Sequence, residues 1–194
     1  MKNILLLIII GIFSTGNTFA QERETLVGNG DIAHGGMGGM MIKSGMIKDE
    51  LNILVGGKGA YLMDHRLYIG GAGYGTSMMI SANGTEYAAG FGGMMMGYKF
   101  FPHKLVHVGV ETVVGSGGLS EVNTMNHDMS YNHHGGDAFF YAEPSVYAAF
   151  NIAPFFTIHT GVSYRYVKGT NTTGFSDADF RNYNLEISML WGKF

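Results

Sequence analysis

The chain has no cysteine. That excludes a disulfide framework and a lipid-bearing N-terminal cysteine, so the chain is not a lipoprotein. Charge is scarce as well. Only 14% of residues are charged, lysine and arginine together number 12, and the net charge is −3. Without a basic cluster, nucleic acid is excluded as a partner. Proline occurs three times, and apolar residues are spaced through the chain, which argues against disorder or a collagen repeat despite 31 glycines. No apolar run reaches the ~20 residues of a helical membrane span. After residue 20 no stretch holds a long helical period.

The chain opens with MKNILLLIIIGIFSTGNTFAQ. Lys2 precedes an apolar run from Leu5 to Phe13, and Thr18-Phe19-Ala20 supplies small residues before Gln21. This layout predicts a Sec-type signal peptide over residues 1–20, cleaved after Ala20. A periplasmic segment over 21–33 follows, then one domain over 34–194.

That domain divides into eight alternating segments, near 34–46, 51–62, 66–79, 86–100, 105–118, 138–151, 155–167 and 181–194. The last four show the period clearly. Val106, Val108, Val110, Thr112 and Val114 share one face, opposite His107, Gly109, Glu111, Val113 and Gly115. Tyr183, Leu185, Ile187, Met189 and Trp191 likewise oppose Asn184, Glu186, Ser188, Leu190 and Gly192. One face is apolar; the other carries glycine, hydroxyls and charge. A soluble, lipocalin-like carrier would turn the apolar face inward, whereas a membrane barrel turns it to lipid.

Segment length, aromatic placement and loop alternation favour the membrane. Segments of 10–14 residues suit a tilted crossing, which needs about 9–11. Tyr61, Tyr98, Phe100, Phe150 and Trp191 fall near one end, and Phe140, Tyr164, Tyr166 and Tyr183 near the other, as two headgroup belts would. Tight connections at 63–65, 101–104 and 152–154 alternate with longer ones at 80–85, 119–137 and 168–180, although 47–50 is short. The fold expected is an all-β, eight-stranded antiparallel up-and-down transmembrane barrel in the outer membrane. The chain closes on SMLWGKF, a terminal strand suited to the barrel assembly machinery, but Phe194 is out of phase with the Leu185–Trp191 face. A bulge or frayed end is expected there.

Eight strands leave room for side chains, not for a water-filled pore. Glu111, Glu143 and Glu186 fall at similar heights on the polar face, and Arg165 lies on the strand between the latter two. A buried charge needs a partner. Arg165 is therefore expected to bridge Glu143 and Glu186, with His107, His159 and Glu111 nearby. Such a lumen network reads either as a catalytic or proton-handling site or as a structural plug, and the plug is favoured. The repeated glycines of GGMGGMM, VGGKGAY, IGGAGYG and AAGFGGMMMGY suit tightly curved strands or large neighbours. Without a following helix, GGAGYG does not read as a nucleotide loop, and no cofactor is called for.

The segments GGMGG, GGKGAYLMDHRLYIGGAGYG, GYKFFPHKLVHVGVETVVGSGG, FFYAEPSVYAAFNIAPFFTIHTGVSYRYVKG and WGKF together resemble a family of small, uncharacterised outer-membrane β-barrel proteins of Bacteroidota. The resemblance covers most of 35–194 and implies an exported barrel. It brings no activity and no catalytic residues.

The expected role is non-enzymatic: a structural part of the cell envelope, or a scaffold whose loops meet a ligand or partner. The alternative is an outer-membrane lipid-modifying enzyme. His159 and Ser163 are about 13 Å apart along a strand and cannot act together; His107 with Ser145, on neighbouring strands, is the remaining pair. MNHDMSYNHHGGD, residues 125–137, falls in the longest connection, on the outside. His127, His133 and His134 are weak candidates for zinc or copper, and a solvated loop is the commoner meaning of such a tract.

Overall fold

The computed structural model describes residues 33–122 and 137–194. The signal peptide, the 21–32 segment and the histidine tract with His127, His133 and His134 lie outside the described residues.

Nine strand segments build one closed antiparallel barrel. They are β1 (His34–Ile47), β2 (Glu50–Met63), β3 (Leu67–Thr76), β4 (Ile80–Ala82), β5 (Thr85–Phe100), β6 (Val106–Val122), β7 (Asp137–Ala153), β8 (Phe156–Lys168) and β9 (Asn182–Lys193). β1 pairs with both β2 and β9, and β3 with both β2 and β5, so the ring has no free edge. β3 and β4 both pair with β5 and act as one strand interrupted at 77–79, which makes eight staves.

Here the structure corrects one expectation. The connection foreseen at 80–85 is itself mostly paired, and the chain reverses at Asn83-Gly84, both with positive φ. That is the type I′ geometry matching strand twist, and Asn-Gly is its strongest sequence signal. Lys48-Asp49 makes the same kind of two-residue turn between β1 and β2.

The faces alternate as the late strands foretold. Val106, Val108, Val110, Val114, Val146, Leu185 and Ile187 are exposed, as are Met40, Ile42, Leu51, Ile53 and Met94 on the early strands. Such a continuous apolar wall is stable against hydrocarbon, and a soluble carrier would need it reversed. Both aromatic belts point outward: Tyr61, Phe100, Phe150 and Trp191 at one rim, Phe140, Tyr164, Tyr166 and Tyr183 at the other. The first rim, where β1 begins and β9 ends, is the terminal end; the opposite rim is the loop end.

The wall carries a seam between β7 and β8. Pairing of β7 with β8 runs to Ala142↔Tyr166 and resumes at Ser145↔Ser163. Pro144 falls in the gap, and proline has no N–H to donate to the ladder.

Strand β9 keeps regular register with β1 and β8 to its end, without the bulge expected near Phe194. Phe194 follows Leu190 and Gly192 on the inner face. It packs against the core, with the Lys99 ammonium 4.7 Å above its ring. The terminal aromatic thus belongs to the inward set and stops the terminal mouth from inside.

Ile187 sits mid-wall, opposite Ile42 and Thr160. Ile187→Arg places a charge in the apolar band and should cost about 2–4 kcal/mol. Urea titration of the barrel in bilayers measures the loss; an unchanged midpoint would contradict the lipid-facing assignment.

Candidate functional site: a charge ladder across the lumen

The lumen is filled by an alternating chain of charges. Glu143 Oε1 accepts from Lys43 Nζ at 2.6 Å, and Lys43 lies 3.2 Å from Glu186 Oε2. Glu186 Oε1 is 2.8 Å from Lys58 Nζ, which is 3.0 Å from Glu111 Oε1. The order is therefore Glu143–Lys43–Glu186–Lys58–Glu111, and all five side chains are buried. Lys43 and Glu186 are register partners on β1 and β9. Lys58 stands on β2, Glu111 on β6 and Glu143 on β7, so the chain ties opposite walls of the barrel together.

Hydroxyls complete the carboxylates. Tyr68 donates to Glu111 Oε2 at 2.9 Å, Ser163 to Glu143 Oε1 at 2.5 Å, and Ser188 to Glu186 Oε1 at 2.5 Å. Tyr74 donates to Glu143 Oε2. The Lys43 ammonium also lies 4.5 Å above the Tyr74 ring. Two glycines make room for the long tyrosines. A Cβ at Gly97 would overlap the Tyr68 ring, and one at Gly109 would overlap the Tyr147 ring. Glycine here is required by close approach, as its abundance in narrow strands suggested.

The sequence placed Glu111, Glu143 and Glu186 in one network, and the structure brings them together. It does so through Lys43 and Lys58, which sequence reasoning missed. Arg165 does not bridge Glu143 and Glu186: among the described residues it makes no ion pair with either. Its Nε donates to the Phe180 carbonyl at 2.9 Å, Nη2 lies 3.4 Å from the Met46 carbonyl, and the guanidinium stacks 4.7 Å from the Phe91 ring. The physical reason is that Lys43 already neutralises Glu143 from across the lumen. The arginine instead satisfies carbonyls left unpaired at the loop end.

His107 and His159 form a separate group toward the terminal end. Their rings are 6.4 Å apart, and His159 stacks on Tyr147 at 4.4 Å. Neither joins the ion-pair chain among the described residues.

Catalytic geometry was sought in the same place. Ser145 is the register partner of Glu111, and His107 that of Ala149. Four residues of ladder, about 13 Å, therefore separate Ser145 from His107. Ser145 Oγ donates to the Glu111 carbonyl instead, and Ser163 and Ser188 donate to carboxylates. Ser188 is the register partner of His159, but its hydroxyl donates to Glu186 and no hydrogen bond joins it to that imidazole. A hydroxyl not hydrogen-bonded to a base is not an activated nucleophile. Among the described residues, no cluster of three or more metal-ligating side chains is present.

The loop end is closed by a lid that was read only as an outside connection. A single turn of helix, α1 (Asp177–Phe180), folds back over the mouth. Phe180 is fully buried and stacks on Phe139 at 5.3 Å and on Phe175 at 5.6 Å. Lys48 N–H donates to the Asp179 carbonyl at 2.8 Å, fastening the lid to the β1–β2 turn. The signal was present in SDAD: the Asp179 carboxylate accepts from Ser176 N at 2.7 Å and Ser176 Oγ at 2.9 Å, as in a capping box. Asp177 accepts from the backbone N–H groups of Thr170 and Gly169, each at 2.9 Å. The Thr170 N–H leads in holding its carboxyl below the usual aspartate range.

Comparison with known proteins agrees with this architecture. No protein-family model matches the sequence, and no curated protein matches it significantly. Solved structures do. The chain is similar to Neisserial surface protein A, with a TM-score of 0.61 and 11% identity over 85% of this chain and 100% of that one. It is similar to Ail, the attachment invasion locus protein of Yersinia pestis, with a TM-score of 0.51 and 11% identity over 82% and 97%. The N-terminal β-barrel domain of Pseudomonas aeruginosa OprF matches with a TM-score of 0.50 and 8% identity over 81% and 96%. At these identities the likeness is one of fold.

Two outcomes follow from the geometry. Lys43→Met strands Glu143, leaves Glu186 with Lys58 alone, and should destabilise the barrel by about 3–5 kcal/mol in urea titration. Adding Glu143→Gln should recover part of that loss; equal stability of Lys43→Met and wild type would contradict the ladder. At the lid, a depressed carboxyl contributes stability above the ordinary aspartate range and loses it as pH falls through the folded value. Acidification below that range, or Asp177→Asn at neutral pH, should therefore speed hydrogen exchange at the Gly169 and Thr170 amides, and unaltered rates would refute the hydrogen-bond assignment.

Proposed function

We propose that the chain is a small, non-enzymatic outer-membrane barrel that serves the cell envelope as a structural element or through its outward end. One observation carries this reading: an ion-paired chain of side chains crosses the lumen from wall to wall, so it offers neither a channel nor an activated nucleophile. What is free to meet a partner is the loop end. β6 ends and β7 begins there, 15 positions apart in sequence, and the lid folds over the same end.

The signal-peptide pattern over 1–20 supports export, and the apolar wall with two aromatic belts supports residence in lipid. The terminal strand β9, with its SMLWGKF ending, supports recognition by the barrel assembly machinery. The terminal end then faces the periplasm. Likeness to a protein described as a surface protein and to one described as an attachment invasion locus protein favours an outward-facing role. The finer kinship with Bacteroidota barrels rests on the sequence segments alone.

Charge narrows the partner. Ail has been solved with the heparin analogue sucrose octasulfate. Here the described loop end carries Asp49, Glu50, Glu86, Glu121, Asp177 and Asp179 against Lys48, Lys168 and Arg181. That balance disfavours a polyanion and favours a cationic partner.

Membrane fractionation with proteinase K treatment of intact cells tests the reading. The protein should sediment with outer membrane and be cut between β6 and β7 while the barrel survives. Recovery in the soluble fraction would overturn the proposal, as would a change in lipid A mass on deletion, which would favour the enzyme.

A further inference from the structure

The charges of the lumen do not balance, and the excess lies at one place. Lys43 and Lys58 are each held by two carboxylates. Arg165 is held by carbonyls at the loop end. Lys99, on β5, is only 2% exposed, yet its ammonium has no carboxylate partner among the described residues. Its neighbours are two aromatic faces, Phe194 at 4.7 Å and Tyr68 at 6.0 Å. Burial of an ammonium without a counter-charge is costly, and ring faces compensate only in part.

Lys99 opens into a cavity of about 420 Å³ at the terminal mouth, shared with His65, His103, His107 and Phe194. His107 is 4% exposed, and neither of its ring nitrogens has a hydrogen-bond partner among the described residues; the Lys104 backbone lies beside it. His65 and His103 stand at the rim with ring centroids 5.5 Å apart. Among the described side chains at this rim, the cations Arg66, Lys104 and Lys193 outnumber the one carboxylate, Asp64. An ammonium and imidazoles thus converge on one enclosed space, with a surface field that draws negative charge towards it.

We propose that this mouth is a binding site for an oxyanion of the phosphate class, with Lys99 as its counter-charge and His107 as a hydrogen-bond donor, His65 and His103 closing the rim. The anion supplies the paired counter-charge that Lys99 lacks. Its acceptor oxygens engage the imidazole that the fold leaves unbonded. On the orientation proposed above, the site opens to the periplasm, where a free phosphate or a phospholipid headgroup of the inner leaflet can reach it. The site itself rests on the geometry of the mouth and not on that orientation.

The test follows the side-chain NMR signals of Lys99 and His107 in the folded, full barrel. One arm adds inorganic phosphate to octyl glucoside micelles at constant chloride. The other reconstitutes the barrel into discs of phosphatidylglycerol, or of the phosphate-free digalactosyldiacylglycerol, in phosphate-free buffer. A saturable shift in the first arm identifies a free anion; a shift only in phosphatidylglycerol discs identifies a headgroup. Affinity should fall at least tenfold in Lys99→Met. Because no carboxylate depends on Lys99, this variant should keep wild-type resistance to urea, unlike Lys43→Met. Should Lys99→Met fail to fold, His107→Gln carries the comparison, with a similar direction of loss. No saturable shift in either arm, or full affinity in the variant that folds, would overturn the proposal.

Discussion

The alternating chain Glu143–Lys43–Glu186–Lys58–Glu111 is the constraint from which most of the interior follows. Eight staves close around a space too narrow for bulk water and too polar to pack like an ordinary core. Each carboxylate placed there must be answered by a cation at bonding distance, since one unanswered charge costs more than a lost contact between methyl groups. The answers come from across the lumen. Lys43 and Lys58 are on β1 and β2; Glu111 and Glu143 are on β6 and β7. A contact between distant staves resists shear of the barrel in a way that neighbouring-strand hydrogen bonds do not. The tyrosines then follow from the carboxylates, and Gly97 and Gly109 follow from the tyrosines, because a ring crossing the lumen needs a wall without a Cβ.

The two mouths are treated differently. At the loop end, Phe91, Phe139, Phe175 and Phe180 stack over the ladder, and Arg165 links this aromatic layer to the lid backbone. At the terminal end Phe194 and, farther off, Tyr68 face Lys99, and the His107 and His159 rings make no hydrogen bond among the described residues. The loop end is closed by the lid and stacked rings, with Arg165 held by the Phe180 and Met46 carbonyls. The terminal end keeps a cavity and a surplus of cationic and donor groups. That asymmetry separates a face built to be sealed from one able to receive an anion.

Much of the fold was legible because alternation is a strong signal wherever both faces have character. On β6 to β9 valines and aromatics alternate with charges and hydroxyls, and every inward residue was assigned correctly. On β1 to β5 glycine occupies both faces and methionine recurs, so period two is masked. The lysines of MMIKSG and GGKGAY were lost in that region. The acids themselves held the missing information. Three buried carboxylates cannot be balanced by Arg165 alone, and Lys43, Lys58 and Lys99 are the lysines that lie within strands short of their last residue. The Asn83-Gly84 turn and the SDAD cap were readable local signals, passed over because long outer connections were expected there.

Arg165 shows why the right stave need not give the right partner. Counting between Ala142↔Tyr166 and Ser145↔Ser163 puts Arg165 beside Glu143, so proximity in the wall was inferred soundly. Partner choice was decided by where the long side chain turns once inside. Glu143 already accepts from Lys43, Ser163 and Tyr74, which leaves little acceptor capacity for a guanidinium. Above it, the Phe180 and Met46 carbonyls and the Phe91 face supply planar, partly negative surfaces that suit a guanidinium better than a point ammonium. The lysines therefore hold the carboxylates and the arginine holds the lid, a division set by the shape of each cation rather than by its strand.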